Sequence, residues 1–496
     1  MTLDPRWVRR PGDRTVRRPR RQEYRPLRLR IPRARVPSRR AAPLVFIYGF
    51  AMLILVGTAL LSMPISNVNG EVTPFFDALF TSTSAVTVTG LVVVDTGAYW
   101  STVGQGVILS LIFLGGLGFM TGATFLLMLI GRRISLANRL LVRDSLGQVH
   151  PGGVVTLVKR IVGTVILIQI VGWAFLWWRL GESYSGLQRV WQALFHTISG
   201  FNNAGFSILP NSESLSGIYS DVPILLVLIV LMILGGIGYS VMVDIWEIRQ
   251  PLDGQPVTGI AKLFRVRLRR FSRMTLDTKM VLVMSLVLWV LGLIILLAAE
   301  YNNPATLGDM STLEKVINGF FQSVSVRTAG FSTIDYSLVE QHTVFFSTGL
   351  MFIGGASAST AGGIKITTLA VLLWAVWSSL RGRDSVVAFG REIPAGQVHR
   401  ALVVVVGAVF SVFVVAFALT FTEGLPFLST LMEVVSAFGT NGLSTGVTGE
   451  LSTVGRFIIT LAMFLGRIGP LTAALALAQR EETALYRYTQ ERVKIG

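Results

Sequence analysis

The chain has 496 residues, 52% of them hydrophobic and 14% charged, with a mean hydropathy of +0.62, a balance that excludes a soluble globular protein of this length. It has no cysteine, and its four histidines (His150, His196, His342, His399) stand at spacings that suit no metal, so disulfides and thiolate chemistry are excluded and no metal centre is predicted. The net charge of +17 is concentrated at one end, where residues 1–40 carry 15 arginines against Asp4, Asp13 and Glu23, a net +12.

Residues 1–40 are rich in proline and poor in apolar side chains, so they are predicted to be a disordered cytoplasmic tail held against anionic lipid by charge. Trp7 and Tyr24 supply too little aromatic interleaving for a nucleic-acid surface. From Ala41 to Met63 the chain is uncharged and long enough to cross about 30 Å of hydrocarbon. Lacking a small-residue cleavage site, it is predicted to be a retained helix. Met280 to Ala299 and Ala401 to Phe421 have the same character.

One plan then recurs four times. SAVTVTGLV (Ser84 to Val92), SGFNNAGFS (Ser199 to Ser207), VSVRTAGFS (Val324 to Ser332) and SAFGTNGLS (Ser436 to Ser444) align without gaps on Gly90, Gly205, Gly330 and Gly442. A second element follows each: LGGLGF from Leu114, LGGIGY from Leu234, IGGASA from Ile353 and LGRIGP from Leu465. Each unit is predicted to hold a long apolar helix (M1), a short pore helix (P) such as Phe75 to Val86 or Leu187 to Phe201, the glycine motif, and a second apolar helix (M2). The units are placed at 41–135, 150–250, 275–382 and 398–496. The fold class is therefore an all-α membrane protein with eight membrane helices plus four pore helices around a central pore.

Charge orients the units. Arg132, Arg133, Arg139 and Arg143 follow the first, six basic residues from Lys262 to Arg273 follow the second, and Arg381, Arg383, Arg391 and Arg400 follow the third; by the positive-inside rule these connections and both termini are cytoplasmic. Glu71, Asp95, Glu182, Asp221, Asp309, Asp335, Glu340 and Glu423 flank the pore helices and are predicted to raise cation concentration outside. Trp100, Trp177 and Trp178 read as an interfacial belt.

Irregular backbone at membrane depth is tolerated only where protein buries it or where it lines a watery path. A glycine at one position in four re-entrant segments can turn carbonyl oxygens toward a common axis, where they replace the hydration shell of a monovalent cation. The filter is predicted at Val88, Thr89, Gly90; Asn203, Ala204, Gly205; Thr328, Ala329, Gly330; and Thr440, Asn441, Gly442, with the Thr and Asn side chains as supports rather than ligands. No carboxylate lies in any motif, which argues against a divalent-cation filter. Arg327 is read as a brace behind the third motif.

These motifs resemble the filters of the Trk/Ktr/HKT superfamily of potassium transporters, from about Leu44 to Gly496. The KtrB-type branch is the more similar, since only the Arg-rich tail precedes Ala41 and the closing ERVKIG resembles its C-termini. The resemblance implies a potassium-channel-like monomer that takes up K+ across the bacterial cytoplasmic (inner) membrane, with Na+ a candidate activator and no cofactor. It also implies a homodimer resting on a cytoplasmic ring of nucleotide-binding KtrA-type subunits. Gly90, where plant relatives that carry sodium have Ser, favours potassium. No Walker motif and no GxGxxG opening a cytoplasmic domain is present, and no candidate nucleophile and base stand on facing helices, so the chain is not read as an enzyme. The alternative is a secondary transporter coupling potassium to sodium or protons by alternating access.

The third M2 departs from its siblings, reading GGASASTAGGIKITT from Gly354 to Thr368. Gly354, Gly355, Gly362 and Gly363 disfavour a helix, and Lys365 puts a charge at membrane depth, which marks function. In the family this segment is an intramembrane loop that obstructs the pore. Arg467 stands where the first two repeats have Gly116 and Gly236, so it is predicted to face the cavity and complete the gate. Gly115, Gly116, Gly235 and Gly236 are read as packing residues.

Overall fold

The computed structural model describes residues 41–118, 154–209, 214–247, 271–357 and 359–469. The Arg-rich tail, the basic connection after the first repeat, all of the second from Lys262 up to Arg270, and the C-terminal ERVKIG lie outside the described residues. Single turns apart, the helices are α1 (Ala41–Leu61), α2 (Phe75–Thr87), α3 (Thr102–Gly116), α4 (Val154–Arg179), α5 (Gly186–Asn202), α6 (Val222–Ile237), α7 (Tyr239–Glu247), α8 (Leu276–Glu300), α9 (Thr312–Thr328), α10 (Gln341–Met351), α11 (Ile366–Leu380), α12 (Ala395–Thr422), α13 (Phe427–Gly439) and α14 (Thr453–Ile468). The connection after α11 is a hairpin, β1 (Val386–Ala388) pairing antiparallel with β2 (Arg391–Ile393). It turns through Phe389 and Gly390, both at positive φ, as a two-residue turn requires.

The helices start where side chains satisfy their free N–H groups. Ser101, Thr275 and Ser452 accept from the backbone three residues on, and Ser311 with Glu314 closes a capping box on α9. Among the described residues, the helices over Val158–Glu182, Leu276–Glu300 and Ala395–Thr422 are long and apolar enough to cross a membrane. Val406, Phe410, Phe413 and Phe417 on α12 are exposed, a continuous apolar face that belongs against lipid.

Two sequence expectations are corrected. The second M2 does not run through its repeated element as one helix: α6 and α7 meet at 94° about Gly238, whose φ of 88° suits no side chain. Gly118 and Gly469 occupy the same place in their elements, at φ 78° and 85°, and α3 and α14 stop just before them. Trp100 is no belt residue, being 1% exposed with its ring edge-on to Tyr99 at 5.0 Å; Trp177 and Trp178 are exposed.

The short helices share one buried position. Phe80, Phe195, Phe321 and Met432 are fully buried on α2, α5, α9 and α13, and truncating any of them would cost about 2–5 kcal/mol. In the first, second and fourth repeats the second helix packs on the end of its own short helix through the first glycine of the repeated element. A Cβ on Gly115, Gly235 or Gly466 would overlap the carbonyl oxygen of Val86, Phe201 or Phe438 respectively, so those carbonyls can be approached only by glycine.

Candidate functional site

Three of the four short helices end alike. Val88, Asn203 and Thr440 adopt the left-handed conformation, at φ 58°, 56° and 50°. Thr89, Ala204 and Asn441 then donate their N–H groups back to Ser84, Ser199 and Ser436 O at 2.8–2.9 Å. For β-branched Val88 and Thr440 this conformation costs about 1–3 kcal/mol, the kind of strain that clusters at functional sites. The third helix differs. α9 runs on to Thr328, Ala329 stays at φ −108°, and it is Gly330 itself that donates to Ser325 O, at 3.3 Å. The third segment thus reaches its glycine with one residue fewer after the helix.

The four glycines follow at φ 92°, 70°, 73° and 100° for Gly90, Gly205, Gly330 and Gly442. A Cβ on Gly90 would meet Ala204 O; on Gly205, Ala329 O; on Gly330, Asn441 O; on Gly442, Thr89 O. The sequence of neighbours closes on itself in chain order, each glycine lying against the carbonyl that precedes the next glycine. The ring opens into a cavity of about 350 Å³ that Asp95 and Asp335 also line. Serines hold it from behind: Ser84 and Ser436 Oγ accept from the glycine N–H at 3.0 Å, and Ser199 and Ser325 donate to Phe206 O and Phe331 O.

The side chains of the predicted filter residues point away into protein. Asn441 Nδ2 donates to Ser325 O (3.0 Å) and Val326 O (2.7 Å), tying the fourth segment to the third helix. With its amide oxygen toward Thr328 Oγ1 at 2.8 Å, Asn203 joins the second segment to the third and donates to Gly200 O and Met232 O. Thr89 Oγ1 meets Thr87 Oγ1 at 2.7 Å.

Beneath the ring, between α10 and α11, residues 352–357 and 359–365 belong to the loop that holds five of the six predicted gate residues, the sixth, Arg467, standing on α14. Gly354 N bonds Ile364 O (2.8 Å), and Ile366 N bonds Gly355 O (3.0 Å). The loop docks on the second repeat, Ala356 N and Thr360 N donating to Gly236 O and Gly235 O at 3.0 and 3.3 Å. Gly362 lies against the side chain of Thr440, and Gly363 is at φ 63°. Lys365 Nζ donates to Ala361 O at 2.6 Å, so its charge stays inside the loop. Arg467 donates to Thr360 O and to Gly115 O, and Arg327 donates to Gly354 O at 3.2 Å. Gly115 and Gly235 stand in the last turns of α3 and α6, so their carbonyls present the negative pole of the helix to Arg467 and to Thr360 N–H. Asn202 Oδ1, Thr360 Oγ1 and Thr440 Oγ1 are buried here without a hydrogen-bond partner among the described residues.

Five of the eight predicted outer acids are engaged, among them Asp95 with Gly97 N and Ala98 N, and Asp335 with Ser337 N and Oγ. Asp221 and Glu182 pair with Arg179, and Glu423 accepts from Ser452 N and Oγ; of the predicted set, Asp95 and Asp335 line the cavity. A joint that sequence reasoning missed is Arg456 on α14 with Asp77 on α2, 2.6 Å apart. It closes the fourth repeat onto the first, 379 residues away in the chain, and no local pattern signals it.

The chain matches the TrkH cation transport protein family over residues 45–487. It is 41% identical to the Ktr system potassium uptake protein B of Bacillus subtilis, over 92% of this chain and 96% of that protein. It is 36% identical to the protein of the same name from Vibrio alginolyticus, over 92% and 95%. Among solved structures it resembles the potassium transporter TrkH of Vibrio parahaemolyticus with a TM-score of 0.64 at 18% identity, covering 87% of this chain and 85% of that one.

Proposed function

We propose that this chain, which belongs to the TrkH family of cation transport proteins and not to a family of enzymes, takes up potassium through a filter of backbone carbonyls at Gly90, Gly205, Gly330 and Gly442. The observation that carries this is the closed order of contacts among the four glycines: four carbonyl-bearing segments around one axis can replace the hydration shell of a monovalent cation without any charged ligand. In this reading the chain is four M1-P-M2 repeats with eight membrane helices and four pore helices, and both termini lie in the cytoplasm of a bacterial inner membrane.

Gly354, Gly355, Gly362, Gly363, Lys365 and Arg467 form the gate. The loop blocks the path sterically and Arg467 electrostatically, since a unit charge about 4 Å from an ion opposes it by ~4 kcal/mol at an effective dielectric near 20. A homodimer on a KtrA-type nucleotide-binding ring would supply control by nucleotide, and the names of the relatives, a Ktr system, support a partner of that kind. Sodium is proposed as an activator rather than as cargo.

The test is flux into liposomes holding the purified chain. Potassium entry that exceeds sodium entry and runs only down its gradient is the expected result. Accumulation against the gradient, driven by sodium or protons, would replace the pore with alternating access; equal entry of potassium and sodium would overturn the filter assignment.

A further inference from the structure

The four short helices carry a second repeated position. Thr81, His196 and Glu433 stand nine residues before Gly90, Gly205 and Gly442, and Gln322 stands eight before Gly330, the third segment being one residue shorter. All four are buried. Two residues after the glycines stand Val92, Ser207, Ser332 and Ser444, and all four line the cavity above the ring.

In the second and third repeats the two positions meet directly, and in the fourth they are joined through Thr448. His196 Nδ1 donates to Gln192 O at 2.8 Å, which leaves Nε2 to accept from Ser207 Oγ at 3.1 Å. Gln322 Nε2 donates to Ser332 Oγ at 2.8 Å. Glu433 accepts from the Thr448 hydroxyl, which stands 3.0 Å from Ser444 Oγ. Each serine also accepts from the backbone N–H two residues on, at Leu209 (3.3 Å), Ile334 (3.3 Å) and Gly446 (3.0 Å), and so turns the chain out of the ring. The first repeat has neither half: Thr81 Oγ1 has no partner among the described residues, and Val92 has no hydroxyl.

We propose that His196, Gln322 and Glu433 are positioning residues for ion selection, each clasping the exit of its filter segment through the serine two residues past the glycine. A filter segment has two ends. The helix terminus holds the entry, and without a fixed exit the glycine dihedrals are free to relax and the carbonyl oxygens to shift along the axis. Discrimination between monovalent cations depends on the field of those oxygens, so loosening the exit costs preference before it costs structure. This rests on the potassium-filter reading above.

The experiment compares potassium, rubidium and sodium flux in liposomes holding the full chain. In Gln322→Leu and His196→Leu the potassium-to-sodium ratio is expected to fall about five- to tenfold, the effect of one buried hydrogen bond. His196→Gln, which installs the amide that the third repeat uses, is expected to stay within about twofold of the parent, and Thr81→Val to leave the ratio unchanged, since the hydroxyl it removes has no partner among the described residues. Should a leucine variant fail to accumulate, Ser332→Ala and Ser207→Ala remove the same bonds from the cavity side and are expected to show the same fall. Selective parent protein with parent-like ratios in the leucine and alanine variants, or His196→Gln as impaired as His196→Leu, would overturn the clasp alone. A parent without potassium preference would overturn the filter reading and the clasp with it.

Discussion

At the ring, four segments meet nearly as equals: each supplies a glycine at positive φ, a preceding carbonyl and a serine behind it. Under the ring that equality is gone. The first and second repeats offer only helix-terminal carbonyls, the third an irregular loop, and the fourth a single guanidinium that reaches both the loop and the first repeat. An assembly of four identical chains would place four arginines at that level or none. On the proposed reading, four fused repeats keep the backbone pattern common where a cation would be coordinated evenly, and vary side chains where a charge would oppose it. The ring is thus a place where substitution has to respect geometry, and the loop, as the proposed gate, one where it is expected to change an energy barrier.

The largest expected effect breaks the ring. In Gly330→Ser the new Cβ would overlap Asn441 O from a backbone at φ 73°, so the third and fourth segments must part. Potassium-to-sodium preference in uptake is expected to fall by more than about tenfold, the equivalent of ~1.4 kcal/mol, with the protein still present in the membrane. An unchanged ratio would remove Gly330 from the filter. Next comes the loop. Arg467→Ala deletes the charge and both bonds to Thr360 O and Gly115 O, and potassium flux without any partner subunit is expected to rise about tenfold at an unaltered ion ratio. Flux no higher than the parent at equal abundance would make the loop a packing element.

How much of this was legible in the sequence follows the same division. The ring glycines announce themselves because their motif recurs, and Gly354, Gly355, Gly362 and Gly363 announce a break because helices do not tolerate them. The one-residue offset of the third segment is invisible to an alignment that already places Gly330 in line. The bend at Gly238 is invisible to hydropathy, which sees apolar residues on both sides and no dihedral angle. The partners of Arg467 lie 107 and 352 residues away, and no periodicity spans that distance. Asp221 and Glu423 look like free outer acids until Arg179 and Ser452 are seen beside them.

Smaller effects belong to joints outside both regions. Asp77→Asn removes one partner of Arg456, and with the two side chains 17% and 24% exposed the pair is partly screened, so a loss of about 1 kcal/mol is expected. It should appear as a lower unfolding temperature in detergent, while the ion ratio stays as in the parent. A changed ratio would mean that the closure of the fourth repeat on the first also sets the ring.

The smallest effect is at Glu423, which ends α12 and holds the start of α14. Partial burial works against its charge, but hydrogen bonds from Ser452 N and Oγ prevail and hold the carboxyl below its ordinary value of 4.5. A carboxyl whose folded pKa is depressed contributes stability above its unfolded pKa and loses it as pH falls through the folded one. The parent should therefore lose stability as pH falls from about 5 through the range below 4.5, by less than about 1 kcal/mol from this partly exposed group. Glu423→Gln, already uncharged, should show a shallower fall over that window and a lower unfolding temperature than the parent at neutral pH. Since Glu423 touches neither ring nor loop, flux and ion ratio should be those of the parent. Parallel pH profiles for the two proteins would show that the α12–α14 joint is held by packing and not by this carboxylate.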